Sequence, residues 1–245
     1  MEVSYKGTDY SGFQIQDNAG SIQEEVGKAL AVLFRQTVEL TGSSRTDSGV
    51  HAEQNFFHFD FEGVIEHKIL YNINALLPGD IAIRNIFPVN PEAHCRFDAL
   101  SREYRYYVYG EKDPFLQDRA YFFPYPLDKD KMAAAASIVG RYNDFTAFAK
   151  RNTQVKTFVC SIHRSSWEEE RGCLVYRVTA NRFLRGMVRG LVGTMLQVGR
   201  GKLSLEEFEA VLRGRDNSQA DFSAPGRGLF LFRVNFPVSI RPPGQ

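Results

Sequence analysis

Val38-Glu39-Leu40-Thr41, Ser43-Ser44-Arg45-Thr46-Asp47-Ser48-Gly49-Val50-His51 and Asn55-Phe56-Phe57-His58-Phe59 follow one another near the start of a chain of 245 residues. The first segment alternates apolar and polar residues, the third is rich in aromatics, and the middle one is polar with a single glycine. This pattern predicts two strands, near 36–43 and 53–61, with a loop held between them. Working outward, a short strand is expected near 2–5. Ser21-Ile22-Gln23-Glu24 then has capping-box spacing and opens a helix through about Phe34. On the far side, a helix near 65–76 stops at Pro78-Gly79-Asp80 and a strand follows near 81–88. The order is β-α-β-β-α-β, the split βαβ arrangement of ferredoxin-like (RRM-like) units.

The rest of the chain repeats that order with one helix added. A strand is expected over 102–109 and an Ala-rich helix over 129–139. Segments 157–167 and 173–180 form a hairpin around Glu169-Glu170-Arg171-Gly172. A helix over 183–198, a short helix from Ser204 and a strand over 229–236 complete the series. The prediction is an α+β protein of two ferredoxin-like units, 1–93 and 94–245. Their antiparallel or mixed sheets join and leave a central active-site cleft.

Composition sets the limits. Hydrophobic content of 43%, charged content of 24% and a net charge of +1 describe an ordinary soluble domain, so any nucleic-acid site must come from local clustering of Lys and Arg. Cys95, Cys160 and Cys173 are scattered and odd in number, which points to a reducing compartment rather than a disulfide framework. The start, Met1 to Lys6, lacks the pattern of a secretory leader. The apolar run Phe183–Val198 is interrupted by Arg185, Arg189 and glycines, so no membrane span is expected and the chain reads as cytoplasmic.

Within the quoted loop, Asp47 lies two residues from Arg45. A nearby guanidinium favours the ionised carboxylate, and flanking strands fix where it points, as a nucleophile or base requires. Asp47-Ser48-Gly49 is also ordinary turn chemistry, with Gly supplying a positive φ. In the predicted strand 102–109, the two-residue period puts Arg102, Tyr104, Tyr106 and Val108 on one face. A cation beside flat rings is what grips an unstacked base and its phosphate, although tyrosine is equally a common half-buried strand residue. Helical spacing aligns Arg182, Arg185 and Arg189 on an otherwise apolar, Gly-rich element. Cations on a buried helix need anions such as Asp47 or RNA phosphate, unless the stripe faces solvent or pairs with a surface Glu. Loop Tyr5–Gln16, with its tyrosines, glycines and amides, reads either as a mobile RNA grip or as a surface loop. His51, His58 and Asp60 are the nearest approach to a metal site. No further ligand follows at a ligand spacing, so hydrogen-bonded strand histidines are expected instead.

Taken together, these segments resemble the tRNA pseudouridine synthase A family. The resemblance rests on Ser44-Arg45-Thr46-Asp47-Ser48-Gly49-Val50-His51-Ala52, where family members typically show G-R-T-D-A-G-V-H. It continues in the family's order through Asn74–Ile81, Arg96-Phe97-Asp98-Ala99, Arg102–Tyr106, Asn143-Asp144-Phe145-Thr146, Phe183–Gly193 and Gly228-Leu229-Phe230-Leu231. It implies isomerisation of uridine to pseudouridine at positions 38 to 40 in the anticodon stem-loop of tRNA, by a homodimer with no metal or cofactor. Residue by residue, it makes Asp47 the catalytic carboxylate and Tyr104 the ring that packs on the target base and shuttles a proton. Arg189 becomes the partner of the aspartate and Leu229 an apolar lining residue. Arg45 is expected to help hold the extruded nucleotide, with Tyr106, Arg102 and Arg185 as further substrate contacts. The chain departs from the family pattern at Ser44 (usually Gly), at Ser48 (usually Ala), and at Phe13 and Ile15, where a W-Q-R-Q run is common.

Overall fold

The computed structural model describes residues 1–66, 68–150 and 155–240. Among these residues are nine β-strands and five α-helices, a mixed α+β protein. The chain divides into two compact units, one formed by Met1–Leu100 with the segment from Leu231 onward, the other by Ser101–Phe230. None of the helices among the described residues is long and apolar enough to cross a membrane.

In the first unit, β1 (Glu2–Tyr5) lies between β3 (His51–His58) and β4 (Ile81–Asn85), antiparallel to both. Strand β2 (Thr41–Gly42) pairs antiparallel with one end of β3, off the main order β4-β1-β3. Helix α1 (Ile22–Phe34) connects β1 to β2 along the chain, and α2 (Ile69–Leu76) connects β3 to β4. Local signals set α1: Ser21 Oγ accepts from the Glu24 amide at 3.2 Å, and Arg35 ends the helix in the left-handed region. Its buried residues Ile22, Val26, Ala29 and Leu30 recur at helical spacing. Helix α2 is shorter than the expected 65–76. Its end is sharp, because Pro78 favours extended backbone at Leu77. Asn74 fastens α2 to β4, donating to the Ile83 carbonyl at 2.9 Å and accepting from the Ile83 amide at 2.8 Å.

Strand β2 is much shorter than the predicted 36–43. The physical reason is a side chain: Gln23 Nε2 of α1 donates to the Leu40 carbonyl at 2.7 Å, so this acceptor is satisfied outside a ladder. Val38 and Leu40 remain buried all the same.

In the second unit, β5 (Ser101–Tyr109), β8 (Cys173–Ala180) and β7 (Ile162–Glu170) form an antiparallel sheet in the order β5-β8-β7, and the short β6 (Tyr121–Phe122) pairs parallel with β5. The β7–β8 hairpin turns at Arg171-Gly172, both with positive φ (49° and 78°), the handedness that matches strand twist. Helices α3 (Lys129–Val139), α4 (Met187–Gly199) and α5 (Leu205–Gly214) complete the unit. Asp128 caps α3, and Ser204 with Glu207 forms a reciprocal capping box on α5. β9 (Leu229–Asn235) carries the chain out of this unit and back into the first.

The sequence pattern places a helix over 183–198, but α4 begins at Met187. Gly186 stands at φ 75°, a left-handed conformation that a helix interior excludes. Arg182 and Arg185 therefore precede the helix, and the expected three-arginine stripe is reduced to Arg189 on α4.

Among the shifted titratable groups of the first unit, His58 contributes to the pH dependence of folding. Burial, and then the neighbouring His94 imidazole, hold His58 below its ordinary value of 6.5, against the opposing influence of Asp60 and Asp98. His58 Nδ1 also accepts from the Cys95 amide at 3.1 Å, which protonation would forbid. A group with a depressed histidine pKa stabilises the fold above pH 6.5, and that contribution is lost as pH falls through the folded value. The thermal midpoint is expected to fall between pH 7 and pH 5.5, with a shallower slope in His58→Gln, measured by thermal melts.

Candidate active site

The loop carrying Asp47 is tied down at nearly every backbone position. The Ser43 amide donates to the Phe56 carbonyl at 2.8 Å, and the Ser44 carbonyl accepts from Asn55 Nδ2 at 2.8 Å. The Thr46 carbonyl accepts from the Phe13 amide at 3.1 Å, and Thr46 Oγ1 bonds Tyr5 Oη at 2.8 Å. Val50 donates to the Asp47 carbonyl at 3.2 Å, closing a turn with Gly49 at φ 73°. Both sequence readings of Asp47-Ser48-Gly49 thus hold at once: the backbone makes a turn, and the turn presents a carboxylate. Asp47 is half-buried, whereas Arg45 is exposed and forms no ion pair among the described residues.

The segment 6–16 is the strap that covers this loop. Gly49 and Ser48 Oγ both donate to the Tyr10 carbonyl, and the Gly7 amide donates to His51 Nδ1 at 3.1 Å. Two glycines make the approach possible. A Cβ at Gly7 would stand 2.0 Å from the Val50 carbonyl oxygen, and Gly12, at φ 121°, would place one 3.0 Å from that of Thr46. Tyr10 Oη anchors the strap to Asp80 at 2.8 Å. His51 and His58 are thereby both committed to backbone amides, and they sit seven residues apart on β3, roughly 23 Å at strand rise. Among the described residues, no group of three or more His, Cys, Asp or Glu side chains is placed to hold a metal ion.

In the second unit, the segment 221–229 lies along α4. A Cβ at Gly193 would come within 2.1 Å of the Asp221 carbonyl oxygen, and one at Gly190 within 2.8 Å of the Phe222 ring. Asp221 is locked in place by Thr194 Oγ1, Gln197 and the Ser223 amide. Burial alone would raise its pKa, but the bonds from Ser223 and Gln197 outweigh that and keep it below the usual carboxylate value. The segment then offers the Ala224 carbonyl to Arg189 Nε at 2.6 Å and the Pro225 carbonyl to Tyr106 Oη at 2.8 Å. A 3-10 turn over Gly226–Gly228 delivers Leu229, which is buried.

Tyr104 is buried with its ring edge-to-face against Phe183, at 5.0 Å and 83°. Arg102 donates to the Asn181 carbonyl at 3.0 Å, and Arg185 is exposed. Tyr106 is fully buried, and Gly228 packs against its ring so tightly that a Cβ there would lie 2.7 Å from Cζ. The pairing of β5 with β8 runs from Arg102 to Val108 without a register shift, so Tyr106 shares the face of Arg102 and Tyr104 as the sequence pattern predicts, but its ring is sealed against Gly228 rather than open for stacking.

Comparison with known proteins bears on what these parts do. Residues 134–237 match the model of a family described as tRNA pseudouridine synthase. The chain is 44% identical over 242 residues to the tRNA pseudouridine synthase A of Parabacteroides distasonis, covering 98% of this chain and 96% of that one. It is 45% identical over 241 residues to the protein of that name from Bacteroides fragilis, covering 97% and 96%. For Bacillus subtilis the identity is 39% over 239 residues, covering 96% and 97%. The chain belongs to the tRNA pseudouridine synthase A family.

The departures from the tRNA pseudouridine synthase A motifs now have positions. Phe13, where tryptophan is common, is buried and stacks on Phe57 at 4.7 Å. Gly42 leaves the room, since a Cβ there would be 2.2 Å from the Phe13 ring. Ile15 is 55% exposed and offers no charge. Ser44 buries a hydroxyl that, like that of Ser43, has no hydrogen-bond partner among the described residues. Asn55 and the α4 glycines were not singled out from sequence as parts of the site, and Tyr5 entered only as the first residue of the loop Tyr5–Gln16. An amide inside an aromatic strand and glycines inside an apolar helix were the signals available.

The packing of 221–224 on α4 is testable. Gly193→Ala is expected to destabilise the protein by about 1–3 kcal/mol and to lower activity by moving the Ala224 carbonyl off Arg189. Gly27→Ala on α1, with no atom within 4 Å of the added methyl, is expected to be neutral or to stabilise by about 0.5–1 kcal/mol. Urea unfolding of both variants checks the contrast.

Proposed function

We propose that this protein converts uridine to pseudouridine in tRNA, at positions 38 to 40 of the anticodon stem-loop, with Asp47 as the catalytic carboxylate. The observation that carries the assignment is the restraint of the Asp47 loop in a member of this family: hydrogen bonds hold the backbone at residues 43, 44, 46, 47 and 49. A carboxylate needs such restraint when it must meet a single atom of an extruded nucleotide. The target base leaves the helical stack at a cost of a few kcal/mol. Asp47 then assists cleavage of the N1–C1′ bond, as nucleophile at C1′ or as base toward a ribose proton. The freed uracil turns, C5 bonds to C1′, and the C5 proton is lost while N1 gains one, so the change is an isomerisation with no net redox step.

The other site residues take their parts in the same reading. Arg189, steadied through Nε by the Ala224 carbonyl, takes the part of the arginine that partners the catalytic aspartate in this reading. Tyr104, held edge-on by Phe183, packs on the uracil and passes the C5 proton. Leu229 supplies apolar surface. Arg45, Arg102 and Arg185 meet the RNA, Arg45 steadying the extruded nucleotide, while the buried ring of Tyr106 braces the same face of β5 that carries Tyr104. The two units are read as two copies of the split βαβ plan, and two chains pair so that one tRNA spans both.

Tritium release from C5 of uridine-labelled tRNA tests the assignment. Asp47→Asn and Asp47→Ala are expected to lose roughly 10³-fold or more in turnover while binding tRNA within a few-fold of the unaltered protein. Normal turnover by Asp47→Ala would remove Asp47 from the chemistry. Salt-sensitive tRNA binding by the unaltered protein with no release would reduce the protein to an RNA-binding module. Mapping pseudouridine in a transcript before and after incubation identifies the positions.

A further inference from the structure

Asn55 is fully buried in the middle of an aromatic strand, an environment that penalises any amide left unbonded. Both ends of its side chain are used. Oδ1 accepts from the Phe56 amide at 2.9 Å, while Nδ2 donates to the Ser44 carbonyl at 2.8 Å and to Tyr5 Oη at 3.2 Å. Tyr5 is buried as well, and its hydroxyl bonds Thr46 Oγ1 at 2.8 Å. Asn55 Nδ2 donates to Tyr5 Oη, and the bond between the Tyr5 and Thr46 hydroxyls can run in either direction, so the three side chains form one connected chain, Asn55 to Tyr5 to Thr46.

The strand geometry is arranged around this chain. On β3, Asn55 lies opposite Val3, whereas Ala52 lies opposite Tyr5, so β3 carries one extra residue between those two pairs. The bulge keeps Ala52 and Asn55, three residues apart, both on the buried side with Tyr5. Ser4 Oγ takes up the Glu53 carbonyl at the bulge, at 2.7 Å. Without the extra residue, alternation would turn one of the two outward.

We propose that Asn55, Tyr5 and Thr46 are positioning residues for the isomerase reaction: this buried chain of bonds sets the backbone on both sides of Arg45 and so fixes where Asp47 stands relative to the uridine. The proposal rests on the reading of Asp47 as the catalytic carboxylate. The chain grips the loop at the Ser44 carbonyl and the Thr46 hydroxyl, one residue to either side of Arg45 and immediately before Asp47. None of the three needs to touch RNA. Their contribution therefore falls on the chemical step and leaves tRNA affinity alone.

Tyr5→Phe and Thr46→Val each delete a hydroxyl while keeping the side chain's volume, and avoid the orphaned carbonyl that Asn55→Leu would leave. Each is expected to lower kcat for pseudouridine formation about ten- to a hundredfold, with KM for tRNA within about twofold. The double variant should be no slower than the worse single one, because both remove the same bond. Thr46→Ser, which keeps the hydroxyl, should recover kcat to within about threefold. Thermal melts confirm that each variant is folded at the assay temperature. Unchanged kcat in both single variants, an effect confined to KM, additive losses in the double variant, or a Thr46→Ser as slow as Thr46→Val would each overturn the proposal. Asp47→Asn is assayed alongside. If it retains full turnover, the catalytic reading itself fails, whereas its loss beside normal Tyr5→Phe and Thr46→Val defeats only the positioning role.

Discussion

The close approach of two polar loops, 6–13 and 43–51, is the constraint on which the first unit's site depends. Loops normally run over the surface because their backbone groups need water. Here much of one loop is buried beneath another, and its amides and carbonyls must be paired inside the protein. The partners come from the strap (Phe13, Tyr10), from the strand beneath (Asn55, Phe56) and from the loop's own turn. Two residues without side chains, Gly7 and Gly12, let the strands of backbone come within hydrogen-bonding reach. A methyl group at Gly7 would collide with a carbonyl that cannot move without breaking the turn holding Asp47.

The second unit solves a similar problem with different chemistry. Helix α4 is buried on most of its circumference, and Gly190 and Gly193 cut a groove into it for the extended segment that begins at Asp221. That segment carries two carbonyls that do specific jobs, at Ala224 for Arg189 and at Pro225 for Tyr106. A half-buried arginine on an apolar helix is costly unless its donors are engaged. The groove brings one of the acceptors to it.

Much of this architecture was legible because it is set locally. Helices α1 and α3 have the bounds their caps and periodicity announce, and the β7–β8 hairpin turns at the Arg-Gly pair that tolerates positive φ. The ordered motifs point to the family by themselves, and family membership follows independently from near full-length identity. What could not be read was local in appearance and tertiary in cause. Strand β2 is cut short by a glutamine from a helix some seventeen residues earlier. Helix α4 starts late because Gly186 adopts a φ that composition does not reveal. Tyr106 reads like a stacking residue, yet it is sealed by Gly228 and a carbonyl more than a hundred residues away.

The amino-acid sequence by itself determined the element order from residue types and spacings, while the resemblance carried by its ordered motifs gave the family and the candidacy of Asp47, Tyr104 and Arg189. Only the tertiary structure decided that Phe13 is a core residue, that the strap 6–16 is hydrogen-bonded to the Asp47 loop, and that a buried amide at Asn55 bonds the loop next to Asp47. The reason is physical. Whether a polar group is satisfied depends on partners brought by folding from far along the chain, and Asn55 meets residues fifty positions before it and eleven positions before it at once.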